Sequence, residues 1–340
     1  MKEEDTVKNR VSIRDVAKRA GVSIATVSRV INRSPSVKKK NREKVLEAIR
    51  QLNFVPSVSA QRLASGRNNV VALIIPRYEG IFYSFYALEL LRGIGTLCDS
   101  LKLDLLLHLA NGRSNFNLSG IGAAIFADII GNRHQLDFIL ERNIPCVVIN
   151  NYFNEDNVSC IAIDNFKGAQ MAVEYLIGLG HFKIAHITGD LVTQAAQQRL
   201  EGYKSTLKNR GLSIEDDYII KTDYSRGQAL QAAEKLLSLK YPPTAIFVAS
   251  DSMALEVMNV ALEKGLKIPQ DLSIVGFDDN PSALYGKVSL TTIKQPLIKM
   301  AEEAVKYVDA VMKGKETSVK KMVLSPELII RDSCCPPKNF

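Results

Sequence analysis

The chain has 340 residues, 46% hydrophobic and 24% charged, too many for one ordinary domain and fitting a small domain beside a large one. No run of 18 apolar residues occurs and MKEEDTVKNR lacks an apolar stretch, so neither a membrane-spanning helix nor a secretory signal is expected. Five cysteines, an odd number without CxxC spacing, suit a reducing cytoplasm, and the adjacent Cys334 and Cys335 read as inert tail residues.

Residues 1–10 are expected to be a disordered lead. In VSIRDVAKRAGVSIATVSRVIN, Ile13, Val16 and Ala17 give a short amphipathic helix that Gly21 closes. Ser23 can cap a second helix whose apolar face is Val27, Val30 and Ile31. Two short helices joined by Ala20-Gly21-Val22 make a helix-turn-helix. A third helix is expected over Lys39 to Leu52, with Val45, Leu46 and Ile49 facing inward.

Charge gives this segment a purpose. Residues 1–67 hold 16 Lys+Arg against 6 Asp+Glu, whereas the other 273 hold 28 against 30. Basicity confined to a helix-turn-helix is the footprint of phosphate contacts. The second helix would enter the major groove N-terminus first. Ile24, Ala25 and Arg29 are the exposed candidates for base contact. Arg29 can donate a bidentate pair to guanine; Ile24 and Ala25 can offer only apolar contact, for instance to thymine methyls.

The stretches IRDVAKRAGVSIATVSRVIN and REKVLEAIRQLNFVPSVSAQRLASGR closely resemble the headpiece of the lactose/galactose repressor family. The resemblance runs over nearly the whole chain, strongly to Gly66 and less evenly after it. It implies a bacterial transcription regulator, usually a homodimer on a palindromic operator, with a periplasmic-binding-protein-like core. It places Ile24, Ala25 and Arg29 on the operator half-site, and Ser23, Thr26 and Asn32 on phosphate. One departure stands out. Relatives usually precede the third helix with a capping Ser, where this chain has Lys38 in the run Lys38-Lys39-Lys40. Losing that cap costs roughly 1 kcal/mol; Lys38 and Lys39 become candidate phosphate contacts instead.

Pro56 ends the headpiece, which spans residues 11–56, and residues 57–68 read as a hinge. Ser57 can cap the short helix VSAQRLAS and Gly66 can end it. Helices below roughly 12 residues are marginal alone in water, so this one needs a partner to form. The resemblance implies that two such helices pair in the dimer and enter the minor groove. Leu63 would then wedge into a base step, with Ala60 and Arg62 beside it.

From residue 69 to 340, apolar strands alternate with amphipathic helices: VVALIIP, a helix about Leu88 to Leu101, DLLLHL, AAIFADI, a helix from Gln135 to Arg142, CVVIN, and onward to LSIVGFDD. That alternation means parallel sheets with helices on both faces, and two such sets suggest two doubly wound lobes. By the resemblance, lobe 1 would be 69–162 plus 289–322 and lobe 2 would be 163–288 plus 323–340.

Ligands of open parallel sheets sit at the carboxyl ends of strands. Asn150, Tyr224, Ser250, Asp251 and Asp278 follow strands directly, and Arg199 lies at the head of a helix. The resemblance places Asn150, Arg199, Ser250 and Asp278 in an effector pocket, with Phe82 and Tyr224 as apolar walls. Polar forks suit ligand hydroxyls and an aromatic face suits a sugar ring, so a sugar-like effector is expected. Three departures bear on the core: RYEGIFYSFYALELLRGI is about four residues long for the family, the region from LLLH to AAIF is about ten short, and Ser250 stands where Asn is common. The deletion implies a reduced or missing helix in lobe 1.

No GxGxxG, Walker loop or HExxH occurs, and His181 and His186 read as structural. Catalysis, a cofactor and a metal are not expected. The reading is a cytoplasmic, nucleoid-associated repressor controlled by a small molecule. Its rivals are a DNA-binding regulator whose core answers a protein partner or nothing, and a periplasmic-type ligand receptor.

Overall fold

The computed structural model describes residues 11–31, 34–54, 69–77, 81–111 and 120–338. Contacts divide the chain into two compact units, Met1–Asn69 and Val70–Phe340.

In the first unit, helix α1 (Ile13–Ala20) begins with a reciprocal cap. The Ser12 hydroxyl accepts from the Asp15 amide while the Ser12 amide donates to the Asp15 carboxylate at 2.8 Å. Gly21 ends α1 at φ 63°, a left-handed position that favours glycine. Helix α2 (Ile24–Ile31) starts on Ser23, whose hydroxyl accepts the Thr26 amide at 3.2 Å. Helix α3 (Lys39–Gln51) has no side-chain cap at Lys38, as the missing Ser implies. The three helices close on Val16, Ala17, Ala20, Val27, Val30, Val45 and Ala48. Leu46, expected inward, is 46% exposed. Val45, Ala48, Ile49 and Leu52 follow the helical spacing of the buried face, and Leu46 sits about 100° round from Val45.

The second unit contains two six-stranded sheets. The first joins β1 (Val70–Pro76), β2 (Asp104–Ala110), β3 (Ala123–Phe126), β4 (Cys146–Ile149), β5 (Cys160–Ile163) and a late strand, β11 (Lys321–Leu324). Its order is β11-β5-β4-β3-β1-β2, parallel throughout. Helices α4 (Phe85–Leu101) and α10 (Leu297–Met312) pack with one apolar cluster, and α5 (Arg133–Glu141) with another. The second sheet joins β6 (Ile184–Ile187), β7 (Ile219–Ile220), β8 (Ala245–Val248), β9 (Ser273–Asp278), β10 (Thr291–Lys294) and β12 (Glu327–Ile329). Its order is β12-β10-β9-β8-β6-β7, and only β10 and β12 run antiparallel. Helices α6 (Asn165–Gly178) and α7 (Gln194–Asn209) cover one face; α8 (Arg226–Leu237) and α9 (Asp251–Glu263) cover the other.

The lobe boundaries differ from the sequence reading in three places, one of them Ile163, expected in lobe 2 but the last residue of β5 in the first sheet. Residues 291–294 were expected in lobe 1, but β10 pairs with β9 and β12 and so belongs to lobe 2. Val323 and Leu324 were expected in lobe 2, but they pair with Ala162 and Ile163 in the first sheet. The last two crossovers therefore lie between Lys294 and Leu297 and between Leu324 and Glu327. The expected strand AAIFADI stops at Phe126, and YIIKT shrinks to Ile219–Ile220. The shortened region of lobe 1 falls mostly on 112–119, outside the described residues.

His181 and His186 act as structural ties. His181 Nδ1 lies 2.9 Å from the Thr244 hydroxyl, and Nε2 lies 2.9 Å from the Cys335 carbonyl, fastening the C-terminal segment to lobe 2. His186 stacks between Tyr203 and Phe247, and burial holds its pKa down at about 4.

Candidate functional site

The headpiece presents its base-contact candidates as the sequence suggests. Ile24, Ala25 and Arg29 are exposed, while Val27 and Val30 on the opposite face are buried. Ala25 and Arg29 stand four residues apart and so share a face. The Ser23 and Thr26 hydroxyls lie 2.9 Å apart at the start of α2, beside the amides a helix start leaves open to an anion. Lys38 and Lys39 are exposed. Asn32, Ala60, Arg62 and Leu63 lie outside the described residues, as do residues 57–68 of the expected hinge.

In the core, the strand ends of the two lobes form one polar cluster. Arg199, on α7, is 4% exposed. Its Nε donates to Asn165 Oδ1 at 2.9 Å, its Nη1 donates to the Ala249 carbonyl at 2.6 Å, and its guanidinium stacks 3.6 Å from the Phe277 ring centroid. Its positive charge acts on Asp128 in lobe 1 and on Tyr224 and Asp278 in lobe 2. Asn150 follows β4 and donates from Nδ2 to Asp128 Oδ2 at 2.9 Å. Gln295, in the crossover after β10, donates to Asp278 Oδ1 at 2.6 Å. Gln194 clamps the lobes together: its Oε1 accepts the Tyr152 amide at 2.7 Å and its Nε2 donates to the Tyr152 carbonyl at 3.0 Å.

Backbone strain collects at the same place. Asn150, Tyr224, Asp278 and Asp279 all have positive φ, of 70°, 68°, 125° and 58°. Asn and Asp tolerate this; a tyrosine rarely does, and such outliers cluster at ligand sites. The Tyr224 ring lies on Gly189, where an added Cβ would meet Cζ at 1.9 Å. Gly189 is thus the residue that lets Tyr224 occupy the cleft. Gly189→Ala is expected to displace the ring and lower the melting temperature by an overpacking cost of about 1–3 kcal/mol. With no tryptophan in the chain, tyrosine emission can report the displacement.

Ser250 is the cap of α9, accepting the Met253 amide at 3.4 Å. Phe82 lies in the short helical turn Ile81–Tyr83, and its side chain is outside the described residues. Asp251, also at a strand end, is a buried brace: its carboxylate accepts the Thr292 hydroxyl at 2.5 Å and the Asn280 amide at 2.8 Å. Sequence reasoning missed Asp128, Asn165, Gln194 and Gln295. Asp128 would have satisfied the strand-end rule had its strand not been extended to Ile129.

Burial pushes Asp128 up to about 6, against the opposing hydrogen bonds of Asn150, Ile129 and Asn151. Burial likewise raises Asp278, and Arg199 opposes it. A carboxyl whose folded pKa exceeds its unfolded one weakens the fold above the folded value, and that penalty fades as pH falls toward the unfolded value. Asp128→Asn is therefore expected to stabilise the ligand-free protein at pH 8, by up to about 3 kcal/mol at ~1.4 kcal/mol per pKa unit. The gain should vanish by about pH 4. Thermal unfolding across that range checks it; an equal shift at both ends would contradict it.

A basic helix-turn-helix joined to a two-lobed α/β body with strained, charged strand ends defines a ligand-responsive DNA-binding protein. Comparison with known proteins agrees. Residues 12–57 match the model of bacterial regulatory proteins of the lacI family, and residues 173–334 match a periplasmic binding protein-like domain. The chain is 34% identical over 330 residues to the Probable HTH-type transcriptional repressor ExuR of Bacillus subtilis (strain 168), covering 95% of this chain and 98% of that one. Among solved structures, a lac repressor dimer bound to operator and the anti-inducer ONPF has TM-score 0.81 at 25% identity, over 96% of this chain and all of that one. A transcriptional regulator CelR–cellobiose complex has TM-score 0.71 at 27% identity, over 95% of this chain and 100% of that one. The chain belongs to the lacI family of bacterial regulatory proteins and is a DNA-binding transcription regulator. No described helix is long and apolar enough to cross a membrane.

Proposed function

We propose that the protein is a repressor, acting in the cytoplasm on nucleoid DNA, that binds a palindromic operator as a homodimer and is controlled by a sugar-like effector between the lobes. Ile24, Ala25 and Arg29 would read each half-site. Ser23, Thr26, Asn32, Lys38 and Lys39 would hold phosphates, and Ala60, Arg62 and Leu63 would enter the central minor groove. Asn150, Arg199, Tyr224 and Asp278 would hold the effector, with Ser250 shaping α9 beside them and Phe82 as a further wall.

The observation that carries this reading is the coincidence of two features. An exposed Arg29 stands on a helix whose neighbours are basic, and a strained Tyr224 and a buried Arg199 stand at the meeting of two lobes. The cellobiose complex of CelR supports a sugar-like ligand. Catalysis is not part of the proposal. Linkage requires the effector to bind free and operator-bound protein with different affinities. Titrating a sugar panel against the operator complex tests this. A compound that shifts operator affinity supports the effector reading; a panel that never does so would turn it toward a core sensing a protein partner.

A further inference from the structure

The polar groups of the cleft are unevenly used. Part of its donor capacity is used inside the protein: Arg199 Nε and Nη1 donate to Asn165 and the Ala249 carbonyl, Asn150 Nδ2 to Asp128, and Gln295 Nε2 to Asp278. Its acceptors are left over. Asn150 Oδ1 and Gln295 Oε1 are buried with no hydrogen-bond partner, and their residues are only 8% and 6% exposed. Beside them lie the buried carboxyl groups of Asp128 and Asp278, with Arg199 as the cation whose charge reaches both. Asp251 adds a third buried carboxyl, whose pKa the charge of Asp278 helps to raise. Buried acceptors without donors are costly, so a ligand that brings donors is favoured over one that brings more acceptors.

We propose, resting on the effector reading above, that the cleft selects a polyhydroxylated ligand without negative charge and excludes sugar acids and sugar phosphates. Its hydroxyl or ammonium groups would donate to Asn150 Oδ1 and Gln295 Oε1 and to the free lone pairs of Asp128 and Asp278. A carboxylate or phosphate in the same place would meet two carboxyl groups and two carbonyl oxygens in a water-poor site, where like charges repel strongly. An ammonium substituent gains the same field with opposite sign, so an amino sugar ranks at least level with its neutral parent. The selectivity follows from this chain's own Asp128, which adds a buried carboxyl from lobe 1 to the one lobe 2 supplies at Asp278, both within reach of the Arg199 charge.

The test is calorimetric titration of the full-length protein at pH 7 with pentoses, hexoses and disaccharides, each as neutral, amino, uronate and phosphate forms. The expected result is that a neutral or amino member binds and its acidic and phosphorylated counterparts bind at least about 100-fold more weakly, a gap of two tenfold steps in affinity. Asp128→Asn should narrow the gap to about tenfold. Gln295→Glu, of matched shape, should widen it, and it serves if Asp128→Asn fails to fold. An acidic or phosphorylated form binding as well as its neutral parent would overturn the inference and leave the effector reading standing. No binding in any charge class, by protein that still binds its operator, would overturn the effector reading and this inference together.

Discussion

Arg29→Ala is expected to lower operator affinity by orders of magnitude while leaving affinity for unrelated duplex nearly unchanged. Arg29 is exposed on the same face of α2 as Ala25, one turn further on, where a guanidinium can meet guanine O6 and N7. A bidentate pair is worth about 1–3 kcal/mol of base discrimination. A dimer makes the contact twice, so the loss on a palindrome is about 2–6 kcal/mol, or roughly 30-fold to 20,000-fold. The lost discrimination should centre on one base position of each half-site. Lys39→Ala is the contrast: a phosphate contact has no sequence preference, so its removal should weaken all duplexes alike and lower the salt dependence. Gel shifts with operator and scrambled duplex at matched salt separate the two. Equal weakening on both duplexes by Arg29→Ala would remove Arg29 from base recognition.

The second large effect is on the core. Arg199→Ala removes two hydrogen bonds and a stacked cation from a site that is 4% exposed. It also leaves Asp128 and Asp278 without the cation whose charge reaches both. Removing one member of a buried charged set costs about 3–5 kcal/mol. For a unit of this size that is a fall in melting temperature of roughly 6–20 °C. The loss should be larger at pH 8 than at pH 5, because the two buried carboxyls are ionised only above the range to which burial has raised them. Lysine should rescue little, since an ammonium can neither stack flat on Phe277 nor fork to Asn165 and Ala249. A variant that melts like the parent at both pH values would show that Arg199 is not the cleft's electrostatic centre.

How far the sequence revealed this follows from the kind of signal each part gives. The headpiece was legible almost to the residue because its information is local: Gly21 and Ser23 mark helix ends, and Val16, Val27 and Val30 mark buried faces. Leu46 went wrong because a Val-Leu pair tempts both residues inward when the α3 face admits only one. In the core, alternating strands and helices fixed the two lobes, but the crossovers depend on which sheet a short strand joins. LTTIKQ and KMVL carry no local sign of that, so the boundaries shifted.

The site divided in the same way. Asn150, Tyr224 and Asp278 were visible as residues that follow strands, and the structure gives each of them a positive φ. Asp128 hid inside a strand drawn too long, and Gln295 in a crossover assigned to the other lobe. Gln194 and Asn165 sit at helix starts, and their partners are distant in the sequence: Tyr152 lies 42 residues from Gln194, and Arg199 lies 34 from Asn165. The packing of the two lobes brings the first pair together, and the packing of α6 beside α7 within lobe 2 the second.

The most direct test of the account is selection of binding sites from random duplexes by the purified full-length protein. The account predicts enrichment of one sequence with two-fold symmetry, whose outer positions lose their preference in Arg29→Ala and whose centre loses its contribution in Leu63→Ala. Enrichment of no symmetric sequence, or of one that both variants select unchanged, would contradict it.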